Sequence, residues 1–263
     1  MTAQAAIGLG IDFRVLASRG GWAGCDVVTP EYDRVPLERA SALRAVRESG
    51  MRAESGAVAG AESRLVVIVA RSAKGQGASY PVAEMTWGEC AATEVIAPAP
   101  NLDDELAVRA QRLGLAIAAE LEVKGVLAIE LARDRGTGEL VIRDLALGPH
   151  EGGLWTADAA RTSQFEQLLR AVIDLPLGTT TPTGTCAATV TVVGGDDEDM
   201  YGRLMHVMAA DPGVKVHLYA TPAGPGQRIG HVTVADDDYQ RARDRAWRAA
   251  NYIGPGIDSG DSH

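Results

Sequence analysis

The sequence predicts an α+β fold, with some α/β character towards its N-terminal end. Two pairs of apolar runs are each separated by a glycine-rich turn. Residues 126–131 and 139–145 flank Asp134-Arg135-Gly136-Thr137-Gly138, and residues 214–219 and 229–234 flank a Pro/Gly-rich stretch. Both read as antiparallel hairpins. Residues 65–70 form an unbroken, mostly β-branched run, the pattern of a strand buried on both faces. Strands and helices grouped around hairpins favour α+β over a doubly wound parallel sheet.

Taken in order, residues 1–48 read as a short helix (2–9), two strands (12–16 and 26–29) and a helix (36–48) with Leu37, Ala40, Leu43, Ala45 and Val46 at roughly helical spacing. This is a reduced, nucleotide-binding-like α/β fragment. Residues 49–63 are Ala, Gly, Ser and Glu with almost no large apolar side chain and read as a linker. The strand at 65–70 is expected to pair with 80–85 across Lys74-Gly75-Gln76-Gly77, and 93–97 is a further strand ended by Pro98 and Pro100. A helix over 103–122 is capped by Asp103 or Asp104 and buries Leu106, Leu113, Ile117 and Leu121. After the first hairpin, a helix over 162–173 points Phe165, Leu168, Leu169 and Val172 inward. A strand (187–193), a helix with an acidic first turn (196–210), the second hairpin and a last helix (236–251) carrying Trp247 complete the order. The units expected are 1–48, a linker 49–63, a core 64–178, a C-terminal α+β unit 179–253 and a flexible tail 254–263.

At 263 residues the chain can bury a sizeable core. Its formal charge of −10 disfavours nucleic acid and anionic membrane as partners. Cys25, Cys90 and Cys186 are too few and too scattered for a disulfide framework or a zinc site. No apolar run is long enough to span a bilayer, and the first residues lack a signal peptide's order, so a cytoplasmic location is expected.

The first hairpin carries the chemistry. If Gly136-Thr137-Gly138 is the loop, Arg135 faces Glu139 and Glu130 falls directly opposite Asp144. Opposed side chains hold their Cβ atoms about 4.5–5.5 Å apart, and like charges there repel. Such a pair needs a proton, a basic neighbour or a cation, and Mg²⁺ favours oxygen ligands of this kind. Two acids at solvated strand ends are the plain alternative.

Gly125-Val-Leu-Ala-Ile-Glu130, Asp144-Leu-Ala-Leu-Gly-Pro-His150 and Thr162-Ser-Gln-Phe-Glu166 resemble the C-terminal half of an ATP-grasp ligase, and more narrowly the N5-carboxyaminoimidazole ribonucleotide synthase family. Arg71-Ser72, Val95-Ile-Ala-Pro-Ala-Pro100, Gly194-Gly195-Asp196 and Gly230-His231-Val232 follow the same family in the same order. The resemblance covers about 65–251. It implies the C-terminal half of an ATP-grasp fold behind the reduced N-terminal fragment, with the lid subdomain missing and the linker in its place.

The resemblance also implies a reaction: carboxylation of aminoimidazole ribonucleotide with ATP, Mg²⁺ and bicarbonate. It makes Glu130 and Asp144 metal-binding acids, His150, Arg71 and Glu130 catalytic residues, and Arg228 and Lys215 the holders of a substrate phosphate. The missing lobe, which in the family grips phosphate and holds adenine, lowers the expected ATP affinity to weak or absent, and several working positions also differ. Asp144 stands where the family has Glu, Arg143 where it has Asn, Gly148 where it has Arg, Glu151 where it has Asn and Leu154 where it has His. Thr221, Gly224 and Gln227 replace basic residues. Two other readings stay open: an enzyme acting without ATP on an imidazole- or nucleotide-like molecule, and a noncatalytic, regulatory pseudoenzyme. A homodimer is expected, because loss of a lobe exposes apolar surface.

Overall fold

The β-branched run at 65–70 becomes the spine of a single large sheet. The computed structural model describes residues 33–34, 52–53, 63–87, 92–133, 140–194, 200–219 and 226–254. The expected elements of 1–48 other than Asp33 and Arg34, most of the linker, the tail, the turn 134–138, the acids at 196–197 and the turn residues Thr221 and Gly224 lie outside the described residues.

The described strands are β1 (Asp33–Arg34), β2 (Arg52–Ala53), β3 (Ser63–Arg71), β4 (Gly77–Ser79), β5 (Ala83–Trp87), β6 (Ala92–Ala97), β7 (Gly125–Arg133), β8 (Leu140–Leu147), β9 (Cys186–Val193), β10 (Lys215–Leu218) and β11 (Arg228–Asp236). They form one sheet of order β1-β8-β7-β3-β5-β6-β9-β11-β10, with β2 also on β8 and β4 also on β3. Every pairing is antiparallel except β2 with β8. The α+β expectation is met. The seam between β6 and β9, from Glu94 opposite Val190 to Ala97 opposite Ala187, carries the sheet from the core strands into the C-terminal ones.

The strand expected over 80–85 is divided. β4 and β5 both pair with β3, and Tyr80–Val82 lies between them. Pro81 has no N–H to give a ladder, which explains the break.

Helix α1 (Asp104–Glu120) starts at Asp103, whose carboxylate accepts from the N–H groups of Glu105 and Leu106. It buries Leu113 and Ile117 against Val67, Val69, Leu127, Ile129, Leu140, Ile142 and Leu145 on one face of the sheet. The opposite face, built on Val66, Ile68, Val126, Ala128 and Ala146, is covered by a 3₁₀ turn (Glu151–Gly153), by α2 (Thr156–Ala159) and by α3 (Gln164–Val172). Helices α4 (Met200–Ala210) and α5 (Tyr239–Ile253) contribute to a third cluster with β9 and β11.

Helix α3 buries only part of the face expected of it: Leu169 is inside and Leu168 packs against the core, but Val172 is more than half exposed. Gln164, Gln167 and Ala171 are inside as well. The two glutamines are buried because each clamps backbone. Gln164 Oε1 accepts from the His150 N–H and its Nε2 donates to the His150 carbonyl, while Gln167 brackets Gly178 in the same way.

Candidate functional site

Glu130 and Asp144 stand directly opposite each other on β7 and β8. The pairing arises by a different route from the one the loop suggests. Nearer the turn the strands are offset by one, with Leu131 opposite Ile142 and Arg133 opposite Leu140, and one extra residue in β8, Arg143, restores the register. This bulge lets Leu140 and Ile142, on even numbers, share a core face with Leu145 and Leu147, on odd ones. It leaves Glu130 and Asp144 together on the other face, on the side of His150 and the 3₁₀ turn.

There Glu130 is buried, and its carboxylate is engaged at both oxygens. Arg64 Nη1 donates to Oε2 at 3.0 Å, and His150 Nε2 lies 3.2 Å from Oε1. Arg64 reaches it because Val66 is directly opposite Glu130, and a residue two positions along the same face is a diagonal neighbour. Its guanidinium lies over the Trp87 ring, 5.1 Å from the centroid.

His150 is fixed from several sides. Its backbone is clamped by Gln164, and its Nδ1 accepts the Gly152 N–H at 3.1 Å. The proton is therefore on Nε2 and points at Glu130. Asp144 is half-buried, and its Oδ1 accepts the Leu145 N–H at 2.9 Å.

A second polar chain starts one residue on. Glu151 is ion-paired with Arg228, whose Nη2 donates to the Tyr219 hydroxyl at 3.0 Å. That hydroxyl donates to His231 Nδ1 at 2.8 Å. His231 stacks on His217 with ring centroids 4.7 Å apart, and His217 Nε2 lies 2.6 Å from Asp158 Oδ2 on α2. Burial, reinforced by His217 and Arg228, holds the His231 pKa well below the ordinary histidine value, so the ring is neutral. Its Nε2 and the Arg228 Nε are buried and without a hydrogen-bond partner.

The fold thus gathers Glu130, Asp144 and His150, and brings Arg228 beside them through Glu151. It does not gather Arg71 or Lys215. Arg71 is five residues along β3 from Val66, about 16 Å away at strand rise, and its Nη1 donates to the Val123 carbonyl. Arg64, rather than Arg71, is the arginine beside Glu130. Lys215 is exposed at the far end of β10 from Tyr219 and Arg228. Arg64, Gln164, Asp158, Tyr219 and the stacked histidines were not among the expected site residues. Arg64 was legible in principle, as a charge two residues before Val66 in an otherwise apolar strand.

The Mg²⁺ expected between Glu130 and Asp144 does not fit this arrangement. A magnesium ion would need carboxylate oxygens within about 2.1 Å, and those of Glu130 already face a guanidinium and an imidazole N–H. Among the described residues, no group of three or more His, Cys, Asp or Glu side chains could hold a metal ion.

Burial pushes the Glu130 pKa up, but the bonds from His150 and Arg64 outweigh it and leave the pKa below its usual value near 4.5. A depressed carboxylate pKa contributes stability that is present above the unfolded value and lost as pH falls through the folded one. Urea midpoints of the native protein and Glu130→Gln, measured from neutral pH into the acid range, should therefore converge below the usual carboxylate pKa. A gap that stays constant with pH would contradict the assignment.

Residues 30–165 match the ATP-grasp domain family, and residues 187–245 match the phosphoribosylaminoimidazole carboxylase C-terminal domain. The chain is 42% identical over 204 residues to the N5-carboxyaminoimidazole ribonucleotide synthase of Mycobacterium tuberculosis, covering 76% of this chain and 47% of that protein. It is 35% identical over 242 residues to the enzyme of the same name from Corynebacterium ammoniagenes, covering 90% and 58%. The crystal structure of N5-carboxyaminoimidazole synthase from Aspergillus clavatus, in complex with ADP and 5-aminoimidazole ribonucleotide, superposes with a TM-score of 0.65 at 26% identity over 74% of this chain and 52% of that one. The chain spans about half the length of the curated relatives it matches.

Proposed function

Since this chain belongs to the ATP-grasp family, among the N5-carboxyaminoimidazole ribonucleotide synthases, we propose that it is a divergent member that binds an anionic imidazole- or nucleotide-like small molecule and does not itself drive ATP-dependent carboxylation. One observation carries the reading: the charges that the family reaction would use are paired with each other. Arg64 and His150 occupy the Glu130 carboxylate, and Glu151 occupies Arg228. Phosphoryl transfer depends on cations held ready for charge that develops on the phosphoryl group. A guanidinium already matched by a carboxylate offers less to a triphosphate.

The ligand face is the one bearing Glu130, Asp144 and His150 on its acidic side and Arg228 on its basic side. The buried donors Arg228 Nε–H and His231 Nε2–H favour a ligand rich in acceptor atoms. Arg71 and Lys215 lie outside it.

Calorimetry decides. Mg-ATP should show no saturable binding tighter than about 100 μM, near −5.5 kcal/mol. Aminoimidazole ribonucleotide should bind, and Arg228→Ala should weaken it. ATP-dependent incorporation of bicarbonate into that nucleotide by the isolated chain would overturn the proposal.

A further inference from the structure

We infer that the Arg64 guanidinium is the resident counter-charge of the Glu130–Asp144 acid pair, so that this centre is built to remain free of metal. The inference deepens the reading above and takes the identity of the ligand face from it, but its test uses a metal ion alone. A failure here therefore leaves the nucleotide result untouched, and the reverse also holds.

Two acids facing each other across a ladder need a compensating positive charge. Three independent contacts indicate that a side chain supplies it. The strand register sets Arg64 diagonally next to Glu130 on the same face, with Nη1 3.0 Å from Oε2. The Trp87 ring beneath the guanidinium holds it there through its π face. On the opposite side of the carboxylate, His150 presents a proton rather than a lone pair, because Gly152 N–H takes its Nδ1 and Gln164 fixes its backbone. An imidazole in that tautomer cannot ligate a metal through Nε2 while it donates to Glu130.

The Arg64 guanidinium stays protonated at any accessible pH, so its charge remains at the carboxylate when an ion arrives. Magnesium dehydrates reluctantly and demands near-ideal octahedral oxygen geometry. It would have to displace both the guanidinium and the imidazole N–H. The arginine is thus a specificity determinant: it holds the Glu130 carboxylate in place while excluding divalent ions from the acid pair.

The test is a titration of the full chain with Mn²⁺, read by loss of the free-ion electron paramagnetic resonance signal. The native protein should take up no Mn²⁺ at this centre with a Kd below about 1 mM. Arg64→Gln should gain a site at least roughly tenfold tighter, and adding Glu130→Gln to it should abolish that gain. Arg64→Lys keeps the charge and should behave as the native protein does. Native protein binding Mn²⁺ below 1 mM, with the binding lost in Glu130→Gln, would overturn the inference. So would a folded Arg64→Gln with no gain over the native protein. If Arg64→Gln does not fold, the native and Arg64→Lys titrations decide: uptake by either overturns the inference, and uptake by neither supports it.

Discussion

Replacing Trp155 by alanine is expected to lower the unfolding free energy by about 3–5 kcal/mol. Among the described residues Trp155 is the largest fully buried side chain, and it meets Tyr80 edge to face, with centroids 6.0 Å apart and planes at 84°. It sits between the 3₁₀ turn and α2 and fixes both to the sheet. A whole small domain is stable by only about 5–15 kcal/mol, so this one truncation removes a large share. Trp155→Phe should cost less than its lost volume suggests. The indole Nε1 is buried without a hydrogen-bond partner, and phenylalanine removes that unpaired donor. Urea titrations of the native protein and both variants check this. A loss below about 1 kcal/mol in Trp155→Ala would mean that the turn is not held by this ring.

Gly152→Ala should cost about 1–3 kcal/mol and disturb the site as well. An added Cβ would lie 2.3 Å from Val66 Cγ1 and 2.7 Å from Met85 Sδ. Val66 is fully buried in the sheet and β-branched, so it has little room to turn aside. The 3₁₀ turn must lift instead, and with it the N–H that fixes the tautomer of His150 and the carboxylate of Glu151 that meets Arg228. Gly226→Ala is the comparison: φ there is +76° and nothing lies within 4 Å of the added carbon, so only backbone strain is paid. Thermal melts give the stability difference. Nitrogen chemical shifts of the His150 ring report whether Nε2 still carries a proton bonded to Glu130, and unchanged shifts in Gly152→Ala would contradict the packing account.

Much of the architecture was legible because it follows from periodicity. The buried run at 65–70, the amphipathic helix behind Asp103 and the facing of Glu130 with Asp144 are all local or nearly local in sequence. What escaped depended on tertiary context. The bulge at Arg143 was hidden behind a loop-based register that happened to give the same acid pair, although the switch from Leu140 and Ile142 to Leu145 and Leu147 carries its signature. Gln164 and Gln167 read as a polar helix face, because a buried amide is recognisable only once the backbone it clamps is known. Arg71 stands out in the sequence because it ends a buried strand, but the antiparallel pairing of β3 with β7 sets the start of β3, not its end, beside Glu130. Pro81, with no N–H to give a ladder, is the sequence sign of the break within 80–85.

The seam between β6 and β9 bears on how a ligand could be enclosed. Glu130 lies on one side of that seam and Arg228 on the other, yet four consecutive residue pairs stitch the two sides into a shared ladder. The halves therefore cannot swing apart and clamp shut like jaws without tearing main-chain hydrogen bonds. Among the described residues, enclosure of a ligand on this face then falls to side-chain rearrangement, with the exchange of Arg228 from Glu151 to an incoming anion as its natural first step.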